Sequence, residues 1–124
     1  MDLLISPARE IAFRVLKATA QGGYATDLLA REKADTRDVG LAETIVLGCL
    51  RFQAQLDFLV GVFSGRPTLK LDTEVRIALR MGIYQLRYLE RIPPHAAVGE
   101  SVELVKRAGK QSATGLVNAV LRKV

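Results

Sequence analysis

The segment from Asp72 to Arg91, DTEVRIALRMGIYQLRYLER, leaves few folds open. At roughly 100° per residue on a helix, Arg76, Arg80, Arg87 and Arg91 fall within about 60° of one another. Val75, Ile77, Ala78, Leu79, Met81, Ile83, Leu86 and Leu89 take up nearly all the remaining circumference. A helix apolar almost all round must be covered on every side, so this one belongs at the centre of a bundle. Its one wet strip is then a row of arginines bordered by Tyr84 and Tyr88.

The rest of the chain repeats the helical period. Ser6-Pro7 is a start signal, because serine can cap and proline suits a first turn. Ile11, Ala12, Val15, Leu16 and Thr19 follow on one face, and Gly22-Gly23 ends the helix. YATDLLARE reads as a short second helix. Asp35 and Thr36 offer a cap for a long pattern through Val46 and Leu50, which is expected to bend around Gln53 to Gln55 and resume as LDFLVGVF. Gly65 and Pro67 break it. Asp72 is expected to cap the central helix and Ile92-Pro93-Pro94 to end it, since proline disfavours helical geometry in the residue before it. Pro94 opens the next helix, which closes at Gly109, and Ser112 caps the last. No strand-like alternation occurs. The expectation is an all-α fold of six or seven helices, forming a single domain over residues 1–124.

With 18 basic residues, 13 acidic ones and a net charge of +5, the chain is moderately cationic. The excess is local. Residues 106–124, KRAGKQSATGLVNAVLRKV, hold five cations and no acid, while charges cancel through Val105. A localised basic end suggests a polyanionic partner. Arginine grips phosphate through paired planar donors, and neighbouring aromatic rings can stack bases. Arg80 and Arg87 on the central helix are therefore candidate RNA contacts, unless they pair with acids such as Asp38, Glu43 or Asp57. Arg14 and Lys17 lie on the polar face of the first helix. Arg9 lies on its apolar side, where it must snorkel to a groove mouth or find an acid. Lys106, Arg107 and Lys110 complete the candidate set.

Catalytic chemistry is hard to find. His95 is the only histidine and Cys49 the only cysteine, so a metal cluster and an internal disulfide are not expected. Cys49 falls on an apolar helix face with no placed base, which suits an inert thiol. There is no G-x-G-x-x-G, Walker loop or H-E-x-x-H. Glu100 and Glu103 form a solvated pair, or Glu100 balances an arginine. The start, MDLLISPARE, does not read as a secretory signal. Glu43 and Arg51 interrupt the longest apolar run, so no membrane span is expected. A cytoplasmic location follows. The chain reads as a binder, with no catalytic, cofactor or metal residue of its own.

LRMGIYQLRYLERIPPHAAVGESVELVKRAG followed by GLVNAVLRKV resembles the N-terminal domain of the bacterial small-subunit rRNA cytosine-5 methyltransferases, the RsmB (Fmu or Sun) family. AREIAFRVL, GGYATDLL and ETIVLGCLRFQAQLDFLV extend the likeness from about Pro7 to Val124. That domain itself resembles the antitermination factor NusB, in which Pro-Pro-His-Ala-Ala-Val and Asn-Ala-Val-Leu-Arg tend to read differently. Gly99 departs from the family's usual asparagine. The resemblance implies a NusB-like bundle of about seven helices in two subdomains. It also implies an RNA-binding accessory role in a longer enzyme, whose C-terminal domain would use S-adenosylmethionine and supply a catalytic cysteine pair. Ribosomal RNA and that C-terminal domain are the implied partners, and the unfinished last helix would mark an excised domain. A free-standing antitermination factor acting on RNA with a ribosomal protein is the alternative. A module that docks its basic end on a protein is a third reading.

Overall fold

Proline and glycine set the outline. The structure is a computed structural model that describes residues 4–124, so residues 1–3 of the expected domain lie outside the described residues. The described residues form seven α-helices and two short 3-10 turns, with no strand. The first helix, α1, spans Pro7–Ala20 with proline at its start. It ends where Gly22 takes a φ of 104° and the Gly23 N–H returns to the Ala18 carbonyl. A left-handed residue there satisfies otherwise orphaned carbonyls, and glycine adopts it without strain. α2 is Ala25–Ala30 and α3 is Thr36–Arg51, opened by Asp35, whose carboxylate accepts from the Arg37 N–H.

α3 breaks at Phe52 and α4, Gln53–Ser64, leaves at 80° to it. The break falls just before the expected stretch, and it lets Phe52 stack on Tyr88 with ring centres 4.7 Å apart. A 3-10 turn over Thr68–Lys70 precedes α5, Thr73–Tyr88. α6, Pro94–Arg107, closes as α1 does: Gly109 has φ 81° and the Lys110 N–H returns to the Val105 carbonyl. A second 3-10 turn, Gln111–Ala113, leads into α7, Thr114–Lys123.

Three expected boundaries are corrected. Asp72 precedes α5 without a side-chain cap bond, because its carboxylate turns to Lys110 at 3.2 Å. α5 stops at Tyr88 rather than at the Ile-Pro-Pro run, since Leu89 is already extended and packs against the core, which leaves Arg91 outside the helix. Ser112 sits inside the second 3-10 turn, and the last helix starts two residues later.

α5 is the hub. It buries nine of its residues and packs against α1, α3, α4, α6 and α7. Leu79, Met81 and Ile83 are completely buried, and each such side chain contributes about 1.5–3 kcal/mol of transfer free energy. α1, α2 and α3 pack on one another to form one subdomain, and α4, α6 and α7 gather with α5 in the other. Arg9 near the start of α1 meets Gln85, and Lys17 near its end meets Glu74. α1 and α5 are therefore antiparallel. α6 runs alongside α1 in the same direction: Glu100 pairs with Arg9, and Arg107 reaches the far end near Arg14. No single helix is long and apolar enough to cross a membrane.

Candidate nucleic-acid interface

Because α1 and α6 are parallel and each ends in a glycine turn, their last turns lie side by side. Between them runs an open groove of about 570 Å³. Arg14, Lys17 and Arg107 line it with Phe13, and Glu10 is the one acid among the described lining residues. Lys17 Nζ stands 5.9 Å from the centre of the Phe13 ring. Lys110 lies just beyond, at the same end of the molecule, where Asp72 precedes α5 and Glu74 stands in its first turn.

Each of these cations has a carboxylate nearby. Arg14 pairs with Glu32, Lys17 with Glu74 at 3.9 Å, Arg107 with Glu103 at 3.2 Å and Lys110 with Asp72 at 3.2 Å. The side chains of Arg14, Lys17 and Arg107 remain 58 %, 41 % and 44 % exposed. Arg14 and Lys17 stand in surface pairs of the kind that contribute about 0–1 kcal/mol, so a phosphate oxygen can take the carboxylate's place there at little cost. Glu103 is buried rather than solvated, and it holds Arg107 through Nε within the same helix. Lys106 is partly buried in the last turn of α6 and lies off the groove wall.

Two expected phosphate contacts are withdrawn. Arg9 is buried, and its side chain is 7 % exposed. Its Nη1 donates to Glu100 Oε2 at 2.8 Å and to Ser6 Oγ at 3.1 Å, and its Nε donates to Gln85 Oε1 at 2.6 Å. Arg80 is held by both oxygens of Asp57, Nε to Oδ1 at 2.6 Å and Nη2 to Oδ2 at 2.9 Å. Both arginines are internal struts. Arg87 is exposed, but it sits over Phe63 at 5.9 Å and at the opposite end of α5 from the groove.

The arginine row of α5 is thus no continuous surface. Its aromatic border is spent as well: Tyr84 is buried and stacks on Tyr88 at 5.3 Å, which stacks on Phe52 in turn. The basic end of the chain also divides. Arg122 faces a separate groove of about 520 Å³ with His95, Val98 and Asn118. That groove joins the Pro-Pro-His-Ala-Ala-Val and Asn-Ala-Val-Leu-Arg motifs. Lys123 donates to the Phe63 carbonyl at 3.4 Å. Phe13 was not singled out from the sequence, although its place one turn before Lys17 was the available signal.

Cys49 lies in the core, where burial pushes its thiol from 9.0 up to about 12. The thiol stays protonated and unreactive at neutral pH. An acid whose folded pKa is raised loses its proton first in the unfolded chain. Stability therefore falls as pH rises from 9 toward 12, by about 1.4 kcal/mol per pH unit for this group. Burial raises Tyr84 too, with the same sign. Denaturation at pH 8 and pH 10.5 checks this: Cys49→Ala should lose less stability over that interval than the parent chain.

Residues 6–124 match the NusB family. Ribosomal RNA small subunit methyltransferase B of Pseudomonas putida is 42% identical over 92 residues, covering 74% of this chain and 21% of that protein. The protein of the same name from Pseudomonas syringae pv. tomato is 39% identical over 106 residues, covering 86% and 23%. The chain thus spans less than a quarter of the length of these curated relatives. A chain in the crystal structure of a plectonemic RNA supercoil superposes with a TM-score of 0.84 at 25% identity, over 94% of this chain and 90% of that one. A chain in the crystal structure of antitermination factors NusB and NusE in complex with dsRNA gives 0.83 at 24% identity, over 94% and 92%. The family match over residues 6–124 and the superposition over nearly the whole chain agree: this chain belongs to the NusB family.

Proposed function

We propose that this chain is the RNA-holding part of a small-subunit rRNA methyltransferase, and that it positions rRNA for a catalytic domain elsewhere in the same protein. The observation that carries the reading is the groove in which α1 and α6 bring the exposed side chains of Arg14, Lys17 and Arg107 together. Phosphate contacts of this type place an RNA without reading its sequence. The relatives near 40% identity are methyltransferases, whereas the antitermination chain is 24% identical. That contrast favours the methyltransferase reading over a free-standing antitermination factor. The likeness to a chain found with an RNA supercoil supports RNA as the ligand.

Methyl transfer would draw on S-adenosylmethionine in the catalytic domain. This chain's own residues do not fit that group: its left-handed glycines close helix ends, and its one thiol is buried and protonated. On this reading the protein works in the cytoplasm, with rRNA and its own catalytic domain as partners.

A salt titration with rRNA fragments tests the proposal. Arg14→Ala/Lys17→Ala/Arg107→Ala should weaken binding for every fragment and make the slope of log affinity against log salt shallower by about 2–3, at 0.7–0.9 per lost phosphate contact. Equal affinity and slope in the triple variant, or no binding at low salt, would assign the groove to a protein surface instead.

A further inference from the structure

Arg14, Lys17, Arg107 and Lys110 each have a carboxylate within reach, and the opposite end of the fold shows the reverse. There α4, α5 and α7 end and α6 begins. Phe63, in the last turn of α4, has the Arg87 guanidinium over its ring at 5.9 Å and the Lys123 ammonium on its carbonyl at 3.4 Å. Arg122, next to Lys123, lines the groove of about 520 Å³ that Leu86 and His95 also line. Arg91 stands in the short link between α5 and α6. Arg87, Arg91, Arg122 and Lys123 are all exposed. None of the four has a carboxylate partner among the described residues.

Acids are scarce at this end. α7 holds none, and the only one in α4, Asp57, is taken by Arg80. Glu90 alone remains in the α5–α6 link. The carbonyl ends of α4, α5 and α7 favour cations in their last turns, but each is worth only about half a negative charge. Those partial charges and one glutamate do not cancel four full positive ones. The groove adds shape to the charge. Leu86, Val98 and Leu121 give it apolar walls, and no acid is among its described lining residues. The side chains of Asn118 and His95 line it without a hydrogen-bond partner among the described residues. An amide offers a donor and an acceptor side by side, the pattern that pairs with a base edge.

We propose that this end of the fold is a second RNA-holding surface. Arg87, Arg91, Arg122 and Lys123 take backbone phosphates there, and the groove between α6 and α7 admits an unpaired base beside Asn118. The inference rests on RNA being the ligand of this chain, but not on the α1–α6 groove. The cations spread around the end of α7 instead of converging on one point, which suits the evenly spaced charges of a nucleic-acid backbone better than one acidic side chain. Apolar walls with a polar edge suit a base that has left its stack. The two surfaces stand at opposite ends of α5, which at 16 residues is about 24 Å long, so one folded RNA can touch both.

A salt titration with rRNA fragments on Arg87→Gln/Arg91→Gln/Arg122→Gln/Lys123→Gln tests it. Glutamine removes the charge at exposed positions, and an unchanged urea midpoint verifies the fold. The slope of log affinity against log salt should become shallower by about 3, at 0.7–0.9 per lost contact. Arg87→Lys/Arg91→Lys/Arg122→Lys keeps the charges and should keep the slope within about 1. Asn118→Ala should weaken a single-stranded fragment more than a duplex, and an equal effect on both would overturn the part assigned to the groove. If Arg14→Ala/Lys17→Ala/Arg107→Ala is silent while the glutamine variant weakens binding, the inference holds and RNA sits at this end alone. If the first weakens binding and the glutamine variant matches the parent in affinity and slope, the inference alone falls, and this end is a face for an acidic protein. A parent chain that binds no RNA at low salt removes both.

Discussion

Glu100→Ala should lower the free energy of unfolding by about 3–5 kcal/mol, the usual cost of removing one partner from a buried ion pair. The carboxylate sits at a junction of three segments. Oε2 accepts from Arg9 Nη1, while Oε1 accepts from the Ser6 N–H at the entrance to α1. Alanine leaves the guanidinium with only Gln85 and Ser6 Oγ as acceptors, in a place where its side chain is 7 % exposed. A shift of the urea midpoint at unchanged slope would report this loss. Arg9→Met/Glu100→Leu should recover most of it, because well-packed apolar replacements of buried pairs are often neutral. A loss below about 1 kcal/mol would mean that water reaches the pair, and Arg9 would return as a phosphate contact.

Gly48→Ala is the second large effect. A Cβ at this position would lie 2.0 Å from Tyr84 Cζ and 2.3 Å from its Oη, far inside contact distance. The ring cannot swing away freely, being buried and stacked on Tyr88. Overpacking of this kind costs about 1–3 kcal/mol and sometimes more. It should outweigh the ~1 kcal/mol that alanine gains over glycine in a helix. Gly40, eight residues earlier on α3, has nothing within 4 Å of the same added carbon. Gly40→Ala should therefore stabilise the chain by about 0.5–1 kcal/mol. Thermal melts of the two variants should move in opposite directions. A neutral Gly48→Ala would show that α3 and α5 are packed more loosely than the glycine suggests.

Helix order was legible because proline and glycine punctuate a strong 3.6-residue period, and the central place of α5 followed from its apolar circumference. Where each helix yields to a 3-10 turn was not legible. Ser112 and Asp72 are both good caps in isolation, but Asp72 spends its carboxylate on Lys110, a partner 38 positions away that no local pattern announces. Leu89 extends because it packs into the core, before the Ile-Pro-Pro signal can act. The candidate site was half legible. The polar face of α1 and the end of α6 were visible, and the sequence offers Asp57 among the acids that could meet the α5 arginines. That Arg9 would meet Glu100 required knowing that α1 and α6 run the same way.

The shared direction of α1 and α6 has one more effect. Both helices present their carbonyl ends to the same groove, each equivalent to about half a negative charge. Arg14, Lys17 and Arg107 therefore exert less pull than their formal charges suggest, and their acidic neighbours dilute it further. A polyanion lodged there would have a short residence time and would leave as easily as it arrived. That suits a handrail along which successive substrates pass better than a clamp that keeps one of them.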